Sequence, residues 1–122
     1  MRLIIFFSCI ILMSQSCTIE DSQLSGSWQA VQFYENGQST NVPLNEVKLT
    51  FSPNNLYQFQ SMGFYSEAGK WRCASNYLIL KDTTANPPTE RLLKVLYQSS
   101  DSLKIRMDRN GAEQVLFLGK IK

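Results

Sequence analysis

The sequence predicts an all-β domain, an eight-stranded antiparallel up-and-down meander barrel, set behind an N-terminal export signal. Three observations carry this prediction. Apolar and polar residues alternate with period two along almost the whole chain after residue 25, the pattern of strands with one buried face. Turn-forming residues interrupt that alternation at short intervals. Beyond the export signal no stretch holds a 3.6-residue period over a full helix length, and only a single turn is expected, near Pro43 to Glu46.

The elements follow in order. Ser27 to Tyr34 is β-prone and ends at the turn signal Glu35, Asn36 and Gly37. Val47, Leu49 and Phe51 alternate with Lys48, Thr50 and Ser52, and Pro53, Asn54 and Asn55 then break the strand. Leu56 to Met62 and Phe64 to Arg72 come next, the second carrying Gly69 in its interior, where glycine marks a bulge or a close backbone approach. Tyr77 to Lys81 is short and apolar, and the Pro-containing stretch 82–89 forms a long loop. Arg91 to Tyr97, Leu103 to Met107 and Gln114 to Ile121 complete the eight. Most connections are of hairpin length, which favours a closed meander over a Greek-key sandwich, and closure removes the exposed edges of an open sheet.

The start of the chain has a different chemistry. One positive charge, Arg2, precedes a nearly unbroken apolar run from Leu3 to Met13, the layout of a signal peptide. A helix needs about 20 apolar residues to span a bilayer, so a permanent membrane span is the weaker reading. Ser14, Gln15 and Ser16 lead into Cys17. This resembles a bacterial lipobox, in which the cysteine is acylated and the chain is cut just before it, with the looseness seen in lipoproteins of the Bacteroidota. The resemblance implies a signal peptide over 1–16, a palmitate-type lipid on Cys17, a tether over 17–25 and a place in the cell envelope, at the outer membrane on its periplasmic side or at the cell surface. Glu20 and Asp21 resemble the acidic signals that send some such lipoproteins to the surface. Ordinary secretory cleavage, with Cys17 a free thiol, is the alternative. With Cys9 in the leader and Cys17 acylated, Cys73 would be the single thiol of the mature domain and no intrachain disulfide would form.

Leu24, Ser25, Gly26, Ser27 and Trp28 resemble the opening of a lipocalin. The later pattern is similar to short lipocalin-like domains of Bacteroidota lipoproteins: Leu49 to Asn55, then Tyr57 and Phe59, then a second Gly-x-Trp at Gly69, Lys70 and Trp71, followed by Leu78, Ile79 and Leu80 and by Ser102 to Ile105. The resemblance covers the domain 26–122 and implies a barrel able to hold a small apolar ligand. The chain differs from full lipocalins in lacking a C-terminal helix pattern.

If Val47, Leu49 and Phe51 point inward, the same phase sends Trp28, Tyr57, Phe59, Trp71, Leu78, Leu80, Leu103, Ile105 and Phe117 into the interior. An eight-stranded barrel is just wide enough to be filled by side chains or to hold one small ligand. So many bulky groups favour filling. The alternative is that Tyr34, Tyr57, Tyr65 and Trp71 line an open end, their rings giving contact and the tyrosine hydroxyls polar anchoring.

Charge excludes one class of partner: a formal net charge of +2 is no electrostatic footprint for nucleic acid. Basic residues nevertheless gather after residue 90, which reads either as a weak basic face or as an ordinary solvated strand face. The absence of histidine removes the commonest general base and a common zinc ligand. The carboxylates, Glu67 and Asp82 among them, are expected mostly at turns and strand ends in solvent. No enzymatic role, metal or cofactor is expected. Two roles remain: a membrane-anchored, monomeric module binding a small apolar molecule, or a filled barrel that engages a surface protein or polysaccharide.

Overall fold

The computed structural model describes residues 17–19, 21–40, 43–61, 65–109 and 111–121, so the expected export signal over 1–16 lies outside the described residues. One turn of helix, α1 (Asp21–Leu24), precedes β1 (Gly26–Glu35). The short β2 (Gln38–Ser39) folds back on β1, and a single 3-10 turn follows at Leu44–Glu46, where one turn was expected. Then come β3 (Lys48–Ser52), β4 (Leu56–Ser61), β5 (Tyr65–Ala74), β6 (Tyr77–Asp82), β7 (Thr89–Gln98), β8 (Ser102–Arg109) and β9 (Ala112–Lys120).

Each strand from β3 to β8 pairs antiparallel with the next, β1 pairs with β3, and β1 also pairs with β9. The eight long strands therefore close into the expected meander barrel. The turns match their residues. Asn36 and Gly37 both adopt left-handed backbone, with φ of 51° and 81°, as a two-residue primed hairpin turn requires. The Asn36 side chain also accepts the backbone N–H of Glu113 at 3.0 Å, which ties this turn to β9.

The barrel has two unlike ends. The lower end carries the tight hairpins at 53–55, 75–76 and 99–101 together with α1. The upper end carries the connection from β1 to β3 and the loop 83–88. Trp28, Phe51, Tyr57, Leu103 and Leu118 are almost wholly buried in the lower interior. Phe51 and Trp71 meet edge to face with ring centroids 5.6 Å apart. This half of the barrel is filled, as the bulky alternation predicts.

Phe117, expected inward, faces outward. Val115, Leu116, Phe117 and Leu118 are consecutive apolar residues that leave the phase ambiguous, and Leu116 and Leu118 occupy the core. Phe117 packs instead against Tyr34 on the outer wall and lies under the Lys104 amine at 4.7 Å.

Gly69 makes the close approach its position suggested. A Cβ there would stand 1.8 Å from the carbonyl oxygen of Lys81 on β6. Gly69→Ala is therefore expected to cost roughly 1 to 3 kcal/mol through forced separation of the two strands. Gly119→Ala is the control, because its Cβ would meet only Val31 Cγ2, at the ordinary distance of 3.8 Å. Equal denaturation midpoints for the two variants would refute this account.

The stretch 17–25, expected to be a tether, is docked. Thr18 donates from its backbone N–H and its hydroxyl to the carbonyl of Ser75, and Ile19 and Leu24 are buried in the core. This brings Cys17 to the lower end of β5, where it forms a disulfide with Cys73 across a Cα separation of 5.2 Å. The expectation of a lone Cys73 is thus corrected. The physical reason is the apolar pair Ile19 and Leu24, which seats a segment that reads as polar by composition.

Candidate functional site

Strand alternation places Tyr65, Glu67, Gly69 and Trp71 on the inner face of β5, and Arg91, Leu93 and Val95 on the inner face of β7. Near the top of that interior the aromatic filling ends. A cavity of about 320 Å³ opens there, walled mainly by apolar side chains such as Phe33, Leu44, Leu49, Phe59, Met107 and Leu116. One polar cluster interrupts the apolar wall.

Its centre is Glu67, whose side chain is only 1% exposed, a costly place for a carboxylate unless it is fully bonded. Tyr57 donates to one carboxylate oxygen at 2.8 Å and Tyr65 to the other at 2.6 Å. Arg91 closes the cluster with Nε 3.2 Å from both oxygens and Nη2 3.0 Å from Oε1, and Nη2 also lies 3.2 Å from the Tyr65 oxygen. The arrangement is a charge-assisted pair braced by two phenols. The Tyr57 hydroxyl is pushed well above its ordinary range, first by burial and then by donating to Glu67 beside that charge. Tyr65 is raised chiefly by its bond to Glu67. Burial pulls the Arg91 guanidinium down, but its bonds and attraction to Glu67 outweigh this and hold it above its ordinary value.

Of the four expected ligand-facing residues, one lines the cavity. Tyr65 forms part of its wall. Tyr57 lies behind that wall, buried, and reaches it only through Glu67. Trp71 belongs to the filled lower half against Phe51, with its indole N–H buried and unpartnered. Tyr34 sits on the outer face, where its ring meets Phe117 and its hydroxyl donates to Gln32 at 3.2 Å. Its inward neighbour Phe33 takes the cavity position, a shift of one residue in a period-two pattern.

The carboxylates expected in solvent are corrected as well. Glu67 is buried in the cluster, and Asp82 is buried at the top of β6, where it accepts the backbone N–H and the hydroxyl of Thr84. Glu67 and Arg91 had a legible signal: each shares strand parity with apolar inward residues, Trp71 and Leu93. Among the described residues, no group of three or more His, Cys, Asp or Glu side chains is placed to hold a metal ion.

A closed antiparallel eight-stranded meander, filled at one end and hollow at the other, defines a lipocalin-like barrel. A lipocalin-like protein from Bacteroides uniformis has a similar solved structure, with a TM-score of 0.61, 16% sequence identity, and coverage of 81% of this chain and 99% of that one. At that identity the likeness establishes the fold. No protein-family profile matches the sequence, and a comparison with curated proteins finds no match.

Proposed function

We propose that this protein is an exported, envelope-anchored binding module that holds a small, mainly apolar molecule in the upper half of its barrel. The cavity carries this reading: about 320 Å³ of apolar-walled space with one built polar cluster, the layout of a small-molecule site rather than of a core defect. The role is binding without chemistry. Native mass spectrometry of protein purified from its own host is expected to show a co-purifying small molecule. A panel of fatty acids, haem and sterol-like compounds is expected to include binders that raise the melting temperature, since a ligand at 100 times its Kd stabilises by about 2.7 kcal/mol. No co-purifying molecule, together with unchanged melting across the panel, would favour the alternative, a module that engages a surface protein or polysaccharide.

The anchor is the lipid on Cys17 that the apolar run and its lipobox-like end imply. A second reading of this cysteine has an observation behind it, because the Cys17 sulfur is bonded to Cys73 and one sulfur cannot serve as both thioether and disulfide. Disulfides persist in oxidising compartments, so both readings agree on export. Intact mass of the native N-terminus separates them. A diacylated Cys17, its bond to Cys73 given up to the lipid, is what the anchor requires, and an unacylated Cys17 in a disulfide, or a start beyond residue 17, would refute the anchor.

A further inference from the structure

We propose that the cavity has a second mouth in the barrel wall, between the upper halves of β7 and β8, and that its ligand is an amphiphile whose oxyanion head lies there against Arg91 and Lys94. The proposal rests on the small-molecule reading above. Its first support is the strand ladder. β7 and β8 pair from Gln98 and Leu103 up to Lys94 and Arg106, and the ladder stops there. Above that point, among the described residues, 89–93 pair only with β6 and 107–109 pair only with β9, so the wall is unzipped along the upper part of this seam.

The second support is continuity. An outer groove runs beside the seam, lined by Tyr77, Leu92, Lys94 and Arg106 among others, and Arg91 and Met107 line both this groove and the interior cavity. These two side chains therefore form the boundary between inside and outside.

The third support is the state of the charges. Glu90 in the groove is paired with Arg72 at 3.7 Å, and Arg106 is paired with Asp108 and Glu113 at 3.6 and 3.2 Å. The Lys94 side chain has no ion pair or hydrogen bond among the described residues. Arg91 commits Nε and Nη2 to Glu67 and Tyr65, while Nη1 has no partner among the described residues. The Nη1 donors of this partly exposed side chain stay available to an added acceptor at the boundary. The apolar cavity takes the body of the molecule, and the Lys94 amine together with the spare Nη1 donors of the Glu67-paired Arg91 take a carboxylate or phosphate head.

Calorimetric titration of the folded protein with decanoate, decyl phosphate and 1-decanol tests this. The two anions are expected to bind about tenfold more tightly than the alcohol, as a charge-assisted hydrogen bond gives. Whichever anion binds better identifies the head as carboxylate or phosphate. Lys94→Glu is expected to weaken both anions roughly fivefold and leave decanol unchanged, the scale of reversing one exposed charge. Lys48→Glu, on β3 at the opposite wall, is expected to change none of the three. Decanol matching the anions, or equal effects of the two lysine variants, would overturn the second mouth and leave the small-molecule reading standing. Failure of all three probes to bind would overturn both.

Discussion

Replacing Trp28 with alanine is expected to remove about 3 to 5 kcal/mol of folding stability, a large part of the 5 to 15 kcal/mol a domain commonly has. Trp28 is fully buried at the lower end of the barrel. Its indole N–H donates to the carbonyl of Leu24 at 2.8 Å, and the Lys120 amine lies 5.3 Å from the ring. The substitution therefore opens a cavity, strands a helix-end carbonyl and loosens both chain ends at once. Phe117→Ala, on the outer wall, provides the contrast, with an expected cost below half as large because its site can be rehydrated. Denaturant melts of the two variants decide the matter. A loss under about 1 kcal/mol for Trp28→Ala would mean that the lower core does not depend on this ring.

The second large effect is expected at Arg91. Arg91→Ala leaves the Glu67 carboxylate in the interior without its cation, and breaking a buried pair in this way costs about 3 to 5 kcal/mol. The lower part of that range is expected, because the Arg91 side chain keeps 30% of its surface exposed and the two tyrosines still donate. Adding Glu67→Gln to Arg91→Ala removes the stranded charge and is expected to restore part of the loss. A double variant no more stable than Arg91→Ala would show that the charge is not what the single substitution exposes. The same cluster sets an alkaline limit. Tyr57 and Tyr65 titrate above their ordinary 10.0, so the stability they contribute is complete below pH 10 and is lost as the pH climbs through their raised values.

Most of the barrel was legible in the sequence, because its strands bury one face and carry their turns in Asn, Gly and Pro. The phase of alternation read correctly through β3, β4 and β5, where polar residues punctuate the apolar ones. It failed at Phe117 for want of that punctuation. The site was less legible for a related reason. Tyr34 shares the inward parity of Trp28 and Ala30, but a β-bulge between Ala30 and Gln32 shifts the phase by one, so Phe33 turns inward instead. Glu67 and Arg91 read as solvated charges although their parity places them inside, because a charge at an inward position is favourable only when a partner on another strand meets it. That pairing joins β5 to β7 across 24 residues of sequence, which no local pattern displays. The disulfide was hidden differently, since a lipid and a bond to Cys73 compete for the same sulfur.

If Cys17 carries the proposed lipid, the docked N-terminal stretch sets which way the barrel faces. Thr18 is bonded to Ser75 and Ile19 is buried within two residues of Cys17, so a lipid on Cys17 would hold the barrel base-down on the bilayer with no slack between them. The cavity then opens away from the lipid, at the far pole of the barrel. A cargo would be exchanged with the surrounding aqueous space or with a partner approaching from above, and the membrane would act as a mounting plate rather than as the reservoir from which the cargo is drawn.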